Sequence, residues 1–211
     1  PKLPTTDFML YLATATVIIA SLVAMQKDNL KARLAYSTVS QLGYITVGAL
    51  LATHAGVVGG IMHIAMHAFG KITLFFCAGA IMVSAHKTEI SDMRGIGRQM
   101  PITMAAFFIG SLSIIGLPPA GGTWSKWYLM TGALDGGKWV VMIALMLSSL
   151  LNIAYLLPIP IRGFLSGDQE KEVKIKEAPL PSLIALSATA VGCVVLFFYN
   201  QPLFELASSV F

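Results

Sequence analysis

The run GGIMHIAMHAFGKITLFFCAGAIM, residues 59–82, places His63, His67 and Lys71 at i, i+4 and i+8. On an α-helix each four-residue step turns about 40° and climbs about 6 Å. The three side chains therefore form one slowly spiralling polar stripe about 12 Å long. An imidazole titrates near neutral pH and both gives and takes a proton, and a lysine withheld from water can exchange protons too. The stripe thus has the composition of a proton relay. HxxxH is also a ligand spacing, but Ile64 stands where a metalloprotease would carry glutamate, and no third ligand follows; no metal is expected. For either histidine taken alone, a structural hydrogen bond to a neighbouring helix stays open.

A second group sits in IGLPPAGGTWSKW, residues 115–127. Pro118 and Pro119 remove backbone donors, while Gly116, Gly121 and Gly122 relax the chain. An apolar helix should break there, at about 116–122, into a half of about fifteen residues and a shorter one. Irregular backbone in mid-membrane survives only where protein buries it or water lines it, as at the ion sites of transporters. Lys126 falls in the first turn after the break, where the helix dipole opposes a cation and favours proton release. The alternative is a lysine that snorkels to an interface between Trp124 and Trp127.

The elements that must carry these groups are apolar and long. Hydrophobic residues make up 56% of the 211, charged residues only 11%, and mean hydropathy is +0.76, whereas a soluble domain carries roughly 25% charge. Six runs, at about 8–25, 34–53, 57–85, 101–134, 139–162 and 180–200, approach or exceed the roughly 20 residues that cross a bilayer. Lysine and arginine gather after the first run (Lys27, Lys31, Arg33), the third (Lys87, Arg94, Arg98) and the fifth (Arg162, Lys171, Lys174, Lys176). By the positive-inside rule these links are cytoplasmic and both ends of the chain lie outside. The net charge of +4 reflects this anchoring and gives no reason to expect nucleic-acid binding. No signal peptide is expected, because Pro1 is followed by neither a basic region nor a cleavage pattern.

Other polar residues carry weaker signals. Ser37, Thr38, Ser40 and Gln41 give the second run a hydroxyl-rich start, and Ser148, Ser149 and Asn152 lie in the fifth. Ser40 and Asn152 are the secondary candidates, equally able to hold water or to join helices. Asp7 reads as an interfacial cap. Cys77 and Cys193 stand in different runs without CxxC spacing and read as inert buried thiols. The polar run 166–178, SGDQEKEVKIKEA, reads as a solvated link closed by Pro179 and Pro181.

Taken in order, KARLAYSTVSQLGY (31–44), HIAMHAFGKITLFFCAG (63–79) and a GLPP break followed by SKW resemble the antiporter-like membrane subunits of respiratory complex I. They equally resemble the large subunits of multisubunit, Mrp-type cation/proton antiporters. The resemblance covers residues 8–163. It implies an all-α integral membrane fold of about six transmembrane helices, corresponding to the second of two inverted five-helix repeats plus one further helix. Residues 1–163 would be the repeat, 164–179 a polar cytoplasmic link, and 180–211 the additional helix with an outer-side tail. Lys126 would match the terminal lysine of the broken helix, Lys71 the central-axis lysine, and His63 and His67 the histidines leading to it. Lys31 would match a basic residue of the preceding link. The family's first repeat, with its glutamate and lysine pair, lies outside this sequence.

The expected function is proton translocation within a multisubunit complex of a prokaryotic inner membrane, with other membrane subunits, the bilayer and protons as partners. One alternative is a secondary antiporter that moves Na+ or K+ against protons, and another is a scaffold without transport. The chain carries no dinucleotide fingerprint, cysteine cluster or haem motif, so redox chemistry and its cofactors would belong to partners. Nor do the apolar runs contain the paired carboxylates, or the nucleophile beside a base, that a hydrolase needs.

Overall fold

The computed structural model describes residues 4–166 and 175–210. The greater part of the expected polar link, including Lys171 and Lys174, falls outside the described residues. The helices, in chain order, are α1 (Pro4–Gln26), α2 (Leu30–Leu51), α3 (His54–Ala85), α4 (Ile96–Gln99) and α5 (Pro101–Ile115). They continue as α6 (Gly122–Asp135), α7 (Trp139–Leu156), α8 (Pro158–Leu165), α9 (Leu180–Phe198) and α10 (Gln201–Ser208). A 3-10 turn at Ile90–Met93 lies between α3 and α4.

Five stretches are long and apolar enough to cross a membrane: Thr6–Gln26, Leu30–Leu51, His54–Ala85, Trp139–Leu165 and Leu180–Phe198. The sixth expected crossing is the broken pair α5 and α6. Apolar side chains such as Phe8, Ile19, Val140, Leu150 and Phe198 remain exposed, as a surface facing lipid or other apolar chains requires.

Helix α3 is the axis of the bundle and packs against α2, α5, α6, α9 and α10. Its 32 residues, at about 1.5 Å each, exceed the roughly 30 Å of a hydrocarbon core. The connection from α2 is only Ala52 and Thr53. Ala52 turns in the left-handed region, and Thr53 Oγ1 accepts from Gly56 N–H while donating to the Gly132 carbonyl. Small residues let α2, α3 and α6 touch backbone to backbone here: a methyl on Gly132 would lie 2.2 Å from Gly56 N.

At the opposite end the links after α1 and α3 clasp each other. Leu30 N–H donates to the Thr88 carbonyl and Ile90 N–H to the Asp28 carbonyl, both at 2.9 Å. Gly95 N–H donates to the Arg162 carbonyl of α8, so the three basic links share one face. Arg33 satisfies carbonyls left open where α1 ends, donating to Lys27 O at 2.7 Å and Met25 O at 3.4 Å, and also reaches Tyr155 O at 3.0 Å.

Three boundaries differ from the sequence reading. Asn29 caps α2 by accepting from Ala32 N–H, so the helix starts early enough to take Lys31 and Arg33 into its first turn instead of leaving them in the link. Pro158 interrupts the fifth run at Leu157. The tail contains α10, whose Ala207 is buried and whose Phe204 stacks on Tyr128 at 5.3 Å.

Candidate functional site

The break that positions Lys126 is built from glycine and proline. Gly116 ends α5 at φ +89°, a conformation glycine enters without strain, and its N–H returns to Leu112 O. Pro118 and Pro119 follow, and α6 begins at Gly122, where a methyl group would stand 1.8 Å from Ser113 O. Helix α9 braces this loop: Gly121 N–H donates to Cys193 O and Trp124 Nε1 to Phe197 O, both at 2.9 Å.

Lys126 does not snorkel. It is 3% exposed, whereas its neighbour Trp127 is 65% exposed. The amine turns inward and back across the break, donating to Ile115 O at 3.0 Å and to Ser149 Oγ of α7 at 3.1 Å. Ile115 is the last residue of α5, and its carbonyl belongs to a helix end where a cation is favoured. The unfavourable N-terminus of α6 is therefore opposed by the C-terminus of α5. Lys126 also lies at the floor of an open groove of about 300 Å3, bordered by Trp127, Met146, Ser149 and Leu150.

His63 is fully enclosed between α2 and α6. Its Nδ1 shares a hydrogen bond with Ser125 Oγ at 2.9 Å and its Nε2 one with Gln41 Oε1 at 3.2 Å. The His67 ring stacks on His63 at 5.9 Å, as i, i+4 spacing dictates, and His67 Nε2 has no partner among the described residues. Lys71 leaves the stripe for α2, donating to Leu34 O at 3.1 Å and to Ser37 Oγ at 2.7 Å. Neither lysine lies within ion-pair distance of a carboxylate among the described residues; the ion pair found there is Lys138 with Asp7, at the starts of α7 and α1.

Two aromatic residues that the sequence reading left out complete the site. Tyr44 stacks on His63 at 5.4 Å and lies under the Lys126 amine at 4.7 Å, while its hydroxyl donates to Leu145 O at 2.9 Å. Tyr155 donates from its hydroxyl to Ser37 Oγ at 3.0 Å and to Asn152 Oδ1. Asn152 thus joins the site through Tyr155. Ser40 does not reach the histidines or lysines; it lies with Ser21 and Ser148 in a buried hydroxyl cluster and donates to Val17 O. Asp7 lies in the first turn of α1 and is also the partner of Lys138.

Chemically, the arrangement is a buried set of titratable groups, Lys71, His67, His63 and Lys126, that lie on α3 and α6. Residues 4–152 match the family described as NADH:quinone oxidoreductase/Mrp antiporter, TM. The chain is 34% identical to NADH-quinone oxidoreductase subunit N of Desulforudis audaxviator, over 96% of this chain and 43% of that protein. It superposes on a subunit of the Mrp complex from Dietzia sp. DQ12-45-1b with a TM-score of 0.90 at 23% identity, over 98% of this chain and 46% of that one. A subunit of the membrane-bound sulfane sulfur reductase, an archaeal respiratory membrane complex, gives 0.80 at 27%, over 90% and 32%. The chain therefore spans less than half the length of the relatives it matches. With its broken helix and all four titratable site residues inside the matched region, this integral membrane chain belongs to the transmembrane family of NADH:quinone oxidoreductases and Mrp antiporters.

Proposed function

We propose that this chain forms part of a proton-translocating membrane subunit in a multisubunit complex. In this reading His63, His67 and Lys71 relay protons along the bundle axis, and Lys126 is the outlet at the break. The observation that carries the proposal is the pair of buried lysines without carboxylate partners among the described residues. Each amine donates to two oxygens, Leu34 O and Ser37 Oγ for Lys71, Ile115 O and Ser149 Oγ for Lys126. Two acceptors satisfy the two N–H groups of a neutral amine, whereas an ammonium has three. Sites of this kind can be charged and discharged without leaving a strongly held ion pair.

Lys126 differs from Lys71 in two respects that suit an outlet. The Tyr44 ring offers Lys126 a third, π-type partner when it is charged, and the groove gives it a way out. Charge on one lysine disfavours charge on the other, which offers a means of coupling. Residues 1–163 act as the five-helix repeat, 164–179 as a cytoplasmic link and 180–211 as the added helix and tail. The basic links after α1, α3 and α8 face the cytoplasm of a prokaryotic cell.

The test is proton uptake into vesicles that hold the complete assembly, compared between parent and Lys126→Ala. The proposal expects uptake to collapse in the variant; uptake at the parent rate overturns the role of Lys126.

A second reading, secondary exchange of Na+ or K+ for protons, draws on the close superposition with the Mrp complex. Sodium- or potassium-dependent proton movement by the assembly without any electron donor would favour it, and uptake that requires a donor would favour the redox-driven setting.

A further inference from the structure

The histidine stripe is not the one polar connection between the two lysines. Lys71 Nζ donates to Ser37 Oγ at 2.7 Å, and the hydroxyls of Ser37 and Tyr155 lie 3.0 Å apart. The Tyr155 hydroxyl also bonds to Asn152 Oδ1. One turn back along α7 stands Ser149, whose Oγ accepts from Lys126 Nζ at 3.1 Å. Four side chains on α2 and α7 thus lie between one lysine and the other, joined by hydrogen bonds except from Asn152 to Ser149, and none of these bonds involves a histidine. Ser37 and Asn152 are fully buried, as is Tyr155.

The geometry points to a second proton route, Lys71–Ser37–Tyr155–Asn152–Ser149–Lys126, running beside the histidine stripe; the inference rests on the proton-relay reading above. Tyr155 is its central carrier. The single hydroxyl hydrogen of Tyr155 has two acceptors within reach, Ser37 Oγ and Asn152 Oδ1, and bonds to one at a time. When it turns to Asn152, the Ser37 hydroxyl can donate to Tyr155 in its place. A concerted shift then moves one proton: Lys71 gives a proton to Ser37 Oγ as the Ser37 hydrogen passes to Tyr155 and the Tyr155 hydrogen passes to water held beside Asn152. Each hydroxyl oxygen gains one proton and loses one, so no hydroxyl is left charged.

The step from Asn152 to Ser149 needs a carrier, because an amide does not hand on its own protons readily. Asn152 Nδ2 is buried without a partner among the described residues, and a buried donor of that kind is met by ordered water. Water held by Asn152, within one helical turn of Ser149, takes up the Tyr155 hydrogen and gives one of its own to Ser149 Oγ as the Ser149 hydrogen passes to neutral Lys126. The water and each hydroxyl end neutral, and Lys126 carries the charge that Lys71 has released. On this account Asn152 positions and Tyr155 carries.

The experiment is proton uptake by the complete assembly in vesicles, measured in His67→Ala, in Tyr155→Phe and in the double variant, with Tyr128→Phe as a ring control outside both routes. Assembly is verified by co-purification, and Asn152→Leu repeats the measurement should Tyr155→Phe assemble poorly. Parallel routes predict that each single variant keeps part of the uptake and that the double variant falls at least about tenfold below the product of the two single effects. The inference is overturned if the double variant matches His67→Ala alone, or if His67→Ala alone abolishes uptake. Lys126→Ala, run alongside, separates the two ideas: retained uptake there sinks the proton-relay reading itself, whereas its loss together with an inert Tyr155→Phe sinks the second route alone.

Discussion

The Lys126 amine lies 4.7 Å from the centre of the Tyr44 ring, and the same ring stacks on His63 at 5.4 Å. One aromatic side chain of α2 therefore contacts both a histidine of the stripe and the lysine of the broken helix. The contribution of a desolvated cation–π pair is about 2 kcal/mol, which is enough to bias where a proton rests.

This arrangement separates the work of the ring from that of the hydroxyl. Tyr44→Phe keeps the π face and loses the bond to Leu145 O, so transport should stay near the parent level with a stability cost of about 1 kcal/mol. Tyr44→Leu removes the π face, and transport should fall markedly. Vesicle uptake, with thermal unfolding of the assembly, measures both; equal transport in the two variants would show that the ring does not matter.

The break depends on close backbone approach. Gly122→Ala would place a methyl 1.8 Å from Ser113 O, so the helices must part, at a cost of about 1–3 kcal/mol or loss of assembly. Gly79→Ala meets nothing within 4 Å and should stabilise α3 by about 0.5–1 kcal/mol. The unfolding midpoints of the two variants should move in opposite directions.

How much of this was legible in the sequence follows from what helical periodicity can and cannot encode. His63, His67 and Lys71 share one helix face because spacing alone puts them there. The break after Gly116 was equally visible, since proline and glycine act locally. Tyr44, Gln41, Ser125 and Tyr155 were not visible as site residues. Their roles depend on how α2, α6 and α7 are rotated against α3, and helices apolar on nearly every face carry little pattern to reveal that rotation. The start of α2 was misplaced by a few residues because the cap is a single side chain, Asn29, bonded three residues ahead. Helix α10 was missed because eight residues at the end of an apolar run give no separate signal.

Glu177 shows a contact between the polar link and the bundle that no pattern announces. Its carboxylate accepts from Ile102 N–H at 2.6 Å, from Thr103 N–H at 3.3 Å and from the Thr103 hydroxyl at 2.7 Å, satisfying donors left open at the start of α5. Glu177→Ala should cost about 0.5–2 kcal/mol, read as a lower unfolding midpoint, because a cap and a favourable dipole contact are both lost.

Asp7→Asn should do far less. Its partner bond to Lys138 spans 2.8 Å, but the aspartate side chain is 48% exposed. Solvent-screened pairs of this kind contribute little, so the midpoint should shift little and less still in high salt.

The central claim is that Lys126 works by exchanging a proton and not by supplying a fixed charge. Arginine keeps the charge but does not release its proton, so Lys126→Arg distinguishes the two. Measured as proton uptake by the complete assembly in vesicles, Lys126→Arg should fall as far as Lys126→Ala; restoration of uptake to near the parent rate by arginine would contradict the account.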